Sequence, residues 1–190
     1  WVDYIYLDTD ERRRFAQVSH EYLIEQLQFS GDESVTAATN SVRLNFNHPV
    51  KELVFVMRKT ANITHDLTNG NVFSKFNFTD AATSGVNPVE TAQLKLNGHD
   101  RFASRTGAYF NSVQPFQHHT ASPSNGINVY SFALKPEDHQ PSGTCNFSRI
   151  DNATLSVTNT SAMTGVIQVY AVNYNVLRVM SGMGGLAYSN

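Results

Sequence analysis

The sequence predicts an all-β sandwich of about eight strands. Three observations lead there. Segments of alternating apolar and polar side chains, or short runs rich in β-branched and aromatic residues, recur along the whole chain. Turns built from Pro, Gly and Asn separate them. Helical periodicity is sparse, and no internal repeat is present.

Val2–Leu7 alternates and is β-rich, so it reads as a strand. Asp8-Thr9-Asp10-Glu11 then signals a helix start, with an Asp or Thr cap and acids in the first turn. Phe15, Val18 and Ala16 give that helix a short apolar face. Glu21–Phe29 alternates again, with Tyr22, Ile24, Gln26 and Gln28 on one face and Leu23, Glu25, Leu27 and Phe29 on the other. Val42–Asn47 places Val42, Leu44 and Phe46 on one side. After a turn at His48-Pro49, Glu52–Arg58 is uniformly apolar enough to be a strand covered on both faces. The pair reads as a corner between two strands of a sandwich.

Thr60–Pro88 is polar and turn-rich, with Asn69-Gly70 and Gly85, and is punctuated by Val72, Phe73, Phe76 and Phe78. A loop of that length serves an interaction, or its Phe residues pin it to its own core. Ala92–Leu96 is a short strand before an Asn97-Gly98 turn, and Asp100–Phe110 contains a short helix or irregular segment. Gln114–Gly126 is a loop containing Pro115 and Pro123. Val129, Tyr130, Phe132 and Leu134 form a strand that breaks at Lys135-Pro136. Pro141-Ser142-Gly143 turns again before the strand Ala153–Thr158. Gly165–Met180 is the longest alternating strand, with Val166, Gln168, Tyr170, Val172, Tyr174 and Val176 facing one way, and Ser181–Asn190 is a flexible Gly-rich tail.

Length and composition fit one domain with a sizeable core: 190 residues, 41% hydrophobic, with 12 Phe and 8 Tyr. Charged residues are only 16%, below the usual quarter or so, which suits a surface covered by neighbours as well as an ordinary neutral β domain. The net charge of −2 comes with no basic block, so nothing neutralises a nucleic-acid backbone over many phosphates. The one basic run, Arg12-Arg13-Arg14, follows Asp8, Asp10 and Glu11. Cys145 is the single cysteine and has no internal disulfide partner. No apolar run approaches the roughly 20 residues of a membrane span. The chain opens on Trp1 rather than Met, which reads as a piece of a longer polypeptide.

Candidate chemistry is thin. Seven histidines (His20, His48, His65, His99, His118, His119 and His139) raise a metal site, but they lack the His-x-His spacing with a following Glu that cupin sites use. No Gly-x-Ser-x-Gly elbow supports a hydrolase. Gly182, Gly184 and Gly185 follow the last strand instead of joining a strand to a helix, so they do not form a phosphate loop. No cofactor is expected. Five Asn-x-Ser/Thr sequons mark Asn62, Asn77, Asn146, Asn152 and Asn159 as candidate glycosylation sites. Arg149 and Asp151 are candidates for an ion pair, buried or at an interface, against the alternative of two solvated charges.

One stretch carries a family resemblance. FALKP (Phe132–Pro136), QPSG (Gln140–Gly143) and NFSRIDN (Asn146–Asn152) resemble the second jelly roll of the major capsid proteins of large icosahedral DNA viruses, the algal-virus and giant-virus group. The opening DYIYLDTDERRRFAQVSHEYLIEQLQ and the FNHPVKELVF stretch are similar to the same domain. The signature residues are Pro141, Gly143, Asn146, Phe147, Ser148, Arg149, Asp151 and Asn152. Strand count alone leaves immunoglobulin-like and lectin sandwiches open; the resemblance selects an eight-stranded jelly roll with short helices in its loops. It implies that residues 1–190 are a single jelly roll, the C-terminal half of a double jelly-roll protein. It implies a non-enzymatic building block of an icosahedral capsid, made in the host cytoplasm and ending in the virion. Its implied partners are copies of itself, as homotrimers and capsomer neighbours, and minor capsid proteins, with no nucleic acid and no direct membrane span. The rival readings are a lectin-like carbohydrate-binding module, which predicts glycan binding by a monomer, and a cupin-like metalloenzyme, which predicts stoichiometric metal.

Overall fold

Two sixteen-residue strands from opposite ends of the chain, β1 (His20–Val35) and β10 (Gly165–Met180), lie side by side and antiparallel. The computed structural model describes residues 1–63, 76–81, 85–160 and 163–188. The first sheet has the order β1-β10-β3-β7, with β3 at Pro49–Lys59 and β7 at Ile127–Ser131. Short β8 (Cys145–Asn146) extends it against β3, and β11 (Met183–Leu186) folds back on β10. The second sheet runs β2 (Thr39–Arg43), β9 (Ala153–Asn159), β4 (Val89–Leu96) and β5 (His99–Asp100). β6 (Arg105–Thr106) also pairs with β4, so β5 and β6 are two pieces of one broken edge strand. Eight strand positions result, four per sheet. The chain crosses between sheets at nearly every step and closes by pairing its first strand with its last long one, which is a jelly roll.

The core lies between the inner faces. Val50, Leu53, Phe55 and Met57 of β3 and Ile167, Val169 and Ala171 of β10 meet Val42, Ala92, Leu94, Leu155 and Val157 of the second sheet, all nearly or fully buried. Phe110 plugs the end beside β7. It sits on a π-helix at Tyr109–Val113 and meets Phe55 edge-on at 5.5 Å. Alternation does this work: in β9 every second residue is buried, the period-2 pattern of a strand with one covered face. The His48-Pro49 corner links β2 to β3 across the sandwich, with His48 at φ 67°. The Asn97-Gly98 turn joins β4 to β5 with positive φ at both residues, as a type I′ hairpin requires.

Several expectations change. Val2–Leu7 forms no strand; every residue from Trp1 to Ser19 is exposed, and the segment pairs with no strand among the described residues. The helix does form, as α1 (Thr9–Gln17) capped by Asp8, yet it buries no residue. The first-sheet strand before Lys135 ends its ladder at Ser131, because Phe132 and Ala133 both donate to the Lys51 carbonyl instead. The ladder of β2 likewise stops at Arg43, although Leu44 and Phe46 stay buried. The expected 114–126 loop opens with a helical turn, α3 (Gln114–His118), which continues the π-helix and carries Pro115 in its first turn. The expected flexible tail is β11, reached through a tight turn at Ser181-Gly182, both with positive φ. Of the 60–88 loop, a short α2 (Thr60–Ile63), the Phe76–Ala81 segment and residues 85–88 are described; His65, Asn69, Gly70, Val72 and Phe73 lie outside the described residues.

Phe55→Ala should lower the unfolding free energy by about 3–5 kcal/mol, the cost of an unfilled core cavity. Phe116→Ala on α3, 84% exposed, should change it by less than about 0.5 kcal/mol. Urea denaturation of both variants gives the comparison.

Candidate assembly surface

Strand β1 is turned the opposite way from what its hydrophobicity suggests. Its Gln26 and Gln28 face the sandwich interior, while Leu23, Leu27 and Phe29 face outward at 37%, 66% and 49% exposure. The polar inward side is accommodated by hydrogen bonds. Gln28 donates to the Asn47 carbonyl at 2.7 Å and accepts from the Asn47 N–H at 3.0 Å. Asn175, itself buried, donates to Gln26 Oε1 at 3.0 Å. The outward apolar row continues across the sheet by register. Leu27 lies beside Val172, Leu23 beside Val176, and Phe29 stacks on Tyr170 with centroids 4.8 Å apart. Tyr170 then lies beside Val54 of β3. Near that point Val54, Val56, Ile127 and Tyr170, with Phe76 and Phe78, line a groove of about 460 Å³ that Arg58 and Gln168 also border.

A polar cluster interrupts the same face. The register of β3 against β10 slips between Val172 and Asn173, leaving Lys51 as the extra, bulged residue. Its ammonium reaches Glu25 at 2.6 Å and sits 5.5 Å from the centre of the Tyr174 ring. Lys51 is almost wholly buried, so this pairing is what makes its charge tolerable there. Next to it, His119 lies between two carboxylates, its Nε2 3.1 Å from Glu52 and its Nδ1 3.1 Å from Glu137. The Glu52 contact is close but poorly aligned, and neither Glu52 Oε2 nor His119 Nε2 completes a hydrogen bond. Burial pushes the Glu52 carboxyl above its ordinary value, against the pull of His119 and Lys51. Hydrogen bonding from Thr120 holds Glu137 below its own. Sequence reading missed this cluster, because its members come from β1, β3, the end of α3 and the segment after β7.

The signature segment packs at the end of the sandwich where β8 meets β3. Phe147 is buried and meets Phe46 and Phe132 edge-on, each at 6.0 Å. Ser148 Oγ accepts from the His48 N–H at 2.8 Å, tying the segment to the β2–β3 corner. Asn146 caps a single 3₁₀ turn (Phe147–Arg149) by accepting from Ser148 N–H at 3.1 Å. Asn97 Oδ1 accepts from both the Asp151 and Asn152 N–H groups. Gly143 has φ 147°, and a Cβ there would lie 2.8 Å from the Phe132 carbonyl oxygen, so only glycine fits. Pro141 is exposed in the turn before it. The signature therefore builds a structural corner.

The sequence profile of the family described as "Large eukaryotic DNA virus major capsid protein" matches residues 11–185. The chain belongs to that family. It is 54% identical to the major capsid protein of Pyramimonas orientalis virus over 213 aligned positions, covering all of this chain and 48% of the relative. It is 47% identical to that of Phaeocystis pouchetii virus, covering 52% of it. A solved structure titled "PBCV-1 virus capsid, quasi-atomic model" superposes with a TM-score of 0.80 at 42% identity, over 98% of this chain and 56% of that one. The chain thus spans about half the length of the curated relatives it matches.

In this capsid-family domain the remaining candidates fall out as follows. Arg149 and Asp151 are both exposed, and no ion pair joins them among the described residues, since the 3₁₀ turn ends between them. His118 and His119 end α3 and cap it, so they do not alternate along a strand. Among the described residues no group of three or more His, Cys, Asp or Glu is placed to hold a metal ion, and no helix is long and apolar enough to cross a membrane. Of the sequons, Asn62 and Asn159 are buried, with their amides donating to the Asn77 and Ala37 carbonyls. Asn77 donates to the Ala81 carbonyl at 2.8 Å. Asn146 and Asn152 are exposed.

A raised carboxyl pKa means the folded state holds its proton more tightly than the unfolded chain, so Glu52 favours folding below its unfolded value and that contribution is lost as pH rises through the folded one. Glu52→Gln mimics the protonated form. It should be more stable than the parent at pH 7, with the gain vanishing as pH falls toward the ordinary value of 4.5; thermal melts across that range measure it.

Proposed function

We propose that this domain is the C-terminal of two tandem jelly rolls in a virion shell protein, and that three copies of the whole polypeptide build a pseudo-hexagonal capsomer. The observation that carries the reading is the reversed face of β1. A strand that points glutamines inward and Leu23, Leu27 and Phe29 outward spends its apolar surface on contacts outside its own sandwich. Family membership and the superposition on the PBCV-1 capsid structure support a subunit that is tiled, with no reaction performed. The relatives' greater length supports a second domain in the same polypeptide. Repeated copies supply avidity, so no single contact has to be strong. The loops at the sandwich ends are the surfaces we assign to capsomer neighbours and minor capsid proteins. The polypeptide is made in the host cytoplasm and resides in the virion.

Leu27→Asp in the two-domain polypeptide should weaken trimerisation by about 10- to 100-fold, the range expected for a truncated interface anchor. Because the side chain is outside the core, the melting temperature of the 190-residue chain should stay within about 2 °C. Sedimentation velocity reads the first and calorimetry the second. Trimers of unchanged affinity would remove β1 from the interface; monomers alone for the unsubstituted polypeptide at micromolar concentration would remove the capsomer reading.

We assign N-glycosylation of the folded chain to Asn146 and Asn152. Their Oδ1 atoms accept from Ser148 N–H and Thr154 Oγ1–H while the side chains face solvent. Peptide mass spectrometry of virion protein should place glycans there and leave Asn62 and Asn159 bare; glycans on the buried pair would refute the assignment.

A further inference from the structure

His119, the residue that follows α3, sits between two other parts of the chain. Its Nε2 lies 3.1 Å from Glu52 Oε2 on β3, and its Nδ1 lies 3.1 Å from Glu137 Oε1 in the segment after β7. The other oxygen of Glu137 accepts from the Thr120 N–H at 3.0 Å. The adjacent His118 adds a separate tie, with its Nδ1 2.9 Å from the Leu134 carbonyl oxygen. A carbonyl oxygen only accepts, so the His118 Nδ1 carries the hydrogen. Through these side chains the end of α3 is joined both to β3 and to residues 134–137.

Counting hydrogens decides what the His119 arrangement needs. Two ionised carboxylates only accept, and a neutral imidazole carries a single N–H. That hydrogen serves Glu137 or Glu52, and the contact that lacks it sets a ring lone pair against a carboxylate lone pair. His119 Nε2 and Glu52 Oε2 are both buried, and neither completes a hydrogen bond among the described residues. Solvent therefore does not relieve that opposition. One added proton does. On the ring it makes an imidazolium that donates to both carboxylates. On Glu52 it makes a carboxylic acid that donates to Nε2 while Nδ1–H serves Glu137. The proton belongs to the site as a whole rather than to one residue. The charged groups facing the site are Glu52 and Lys51 from β3, Glu25 from β1 and Glu137 from the segment after β7, with the Tyr174 ring of β10 beside Lys51. Lys51 points its ammonium at Glu25, 2.6 Å away.

We infer that His119, Glu52 and Glu137 form a proton-operated latch: with one shared proton the ring bridges β3 and the segment after β7, and without it one of the two bridges opens. The pH window follows from two carboxyls displaced in opposite directions. Burial raises Glu52, so its contribution is present in acid and lost as pH rises through the folded value. Hydrogen bonding from Thr120 lowers Glu137, so its contribution is present above the ordinary value of 4.5 and lost as pH falls through the folded one. The latch is closed in mildly acid solution. It opens on the alkaline side as the site proton leaves, and on the strongly acid side once Glu137 protonates. Phe116 on α3 and Leu134 on the segment it is latched to are exposed at 84% and 72%. The spacing of these two apolar side chains at the sandwich end is fixed only in the closed state.

Hydrogen exchange of the Thr120 amide, read by NMR and corrected for the intrinsic pH dependence, tests this in the 190-residue chain. Its protection should fall at least about tenfold between about pH 6 and about pH 9, while the amides of β10 keep theirs. Glu52→Gln supplies a permanent N–H toward Nε2 and should hold Thr120 protected across the whole range. His119→Gln removes the ring and should abolish the pH dependence. Equal protection of the parent at both pH values overturns the inference. So does a Glu52→Gln chain whose protection falls as the parent's does. Parallel loss of protection in β10 overturns it as well, since the change would then be unfolding of the whole domain.

Discussion

Everything in this molecule depends on β10 being hydrogen-bonded along both edges. It pairs with β1 on one side and β3 on the other, which ties the first long strand, the last long strand and the corner strand into one layer. Its odd-numbered side chains, Ile167, Val169 and Ala171, are fully buried and supply the floor on which the second sheet packs. Its even-numbered side chains then have to face the other way, because a strand has two faces and one sandwich covers only one of them. The apolar outer surface is a direct consequence of that geometry.

The outer face is organised more finely than a plain apolar patch. One bulge at Lys51 turns a cation into a row of valines and tyrosines, where Glu25 and the Tyr174 ring receive it. Beside it His119 brings the loop after α3 against β3 through two carboxylates. Charged groups on an otherwise apolar face fix how a partner must be aligned, since a misplaced neighbour would strand a charge without its counter-ion.

The signature segment has the opposite character. Several of its residues hold a corner: Phe147 in the core, Ser148 on the His48 backbone, Asn146 on its own turn, and Gly143 against Phe132. The recognisable residues of this domain are thus those that shape its framework, while the outward surface is carried by ordinary Leu, Val and Tyr side chains on the strands.

Periodicity, cap residues and turn residues determined the sandwich, the bounds of β10, the helix start at Asp8 and the turn at Asn97-Gly98, because each of these is decided by interactions within a few residues. Periodicity also identified the two faces of β1, but not which of them turns inward. Sequence alternation has no sign: the direction is set by Asn47 and Asn175, which arrive from distant parts of the chain to satisfy Gln28 and Gln26. For the same reason Val2–Leu7 reads as a strand and is none here, and the Gly-rich tail reads as loose and is β11, since a strand exists only where an edge receives it. The Lys51–Glu25 and His119–Glu52–Glu137 contacts join four separate segments, and only the tertiary fold decides that such segments meet.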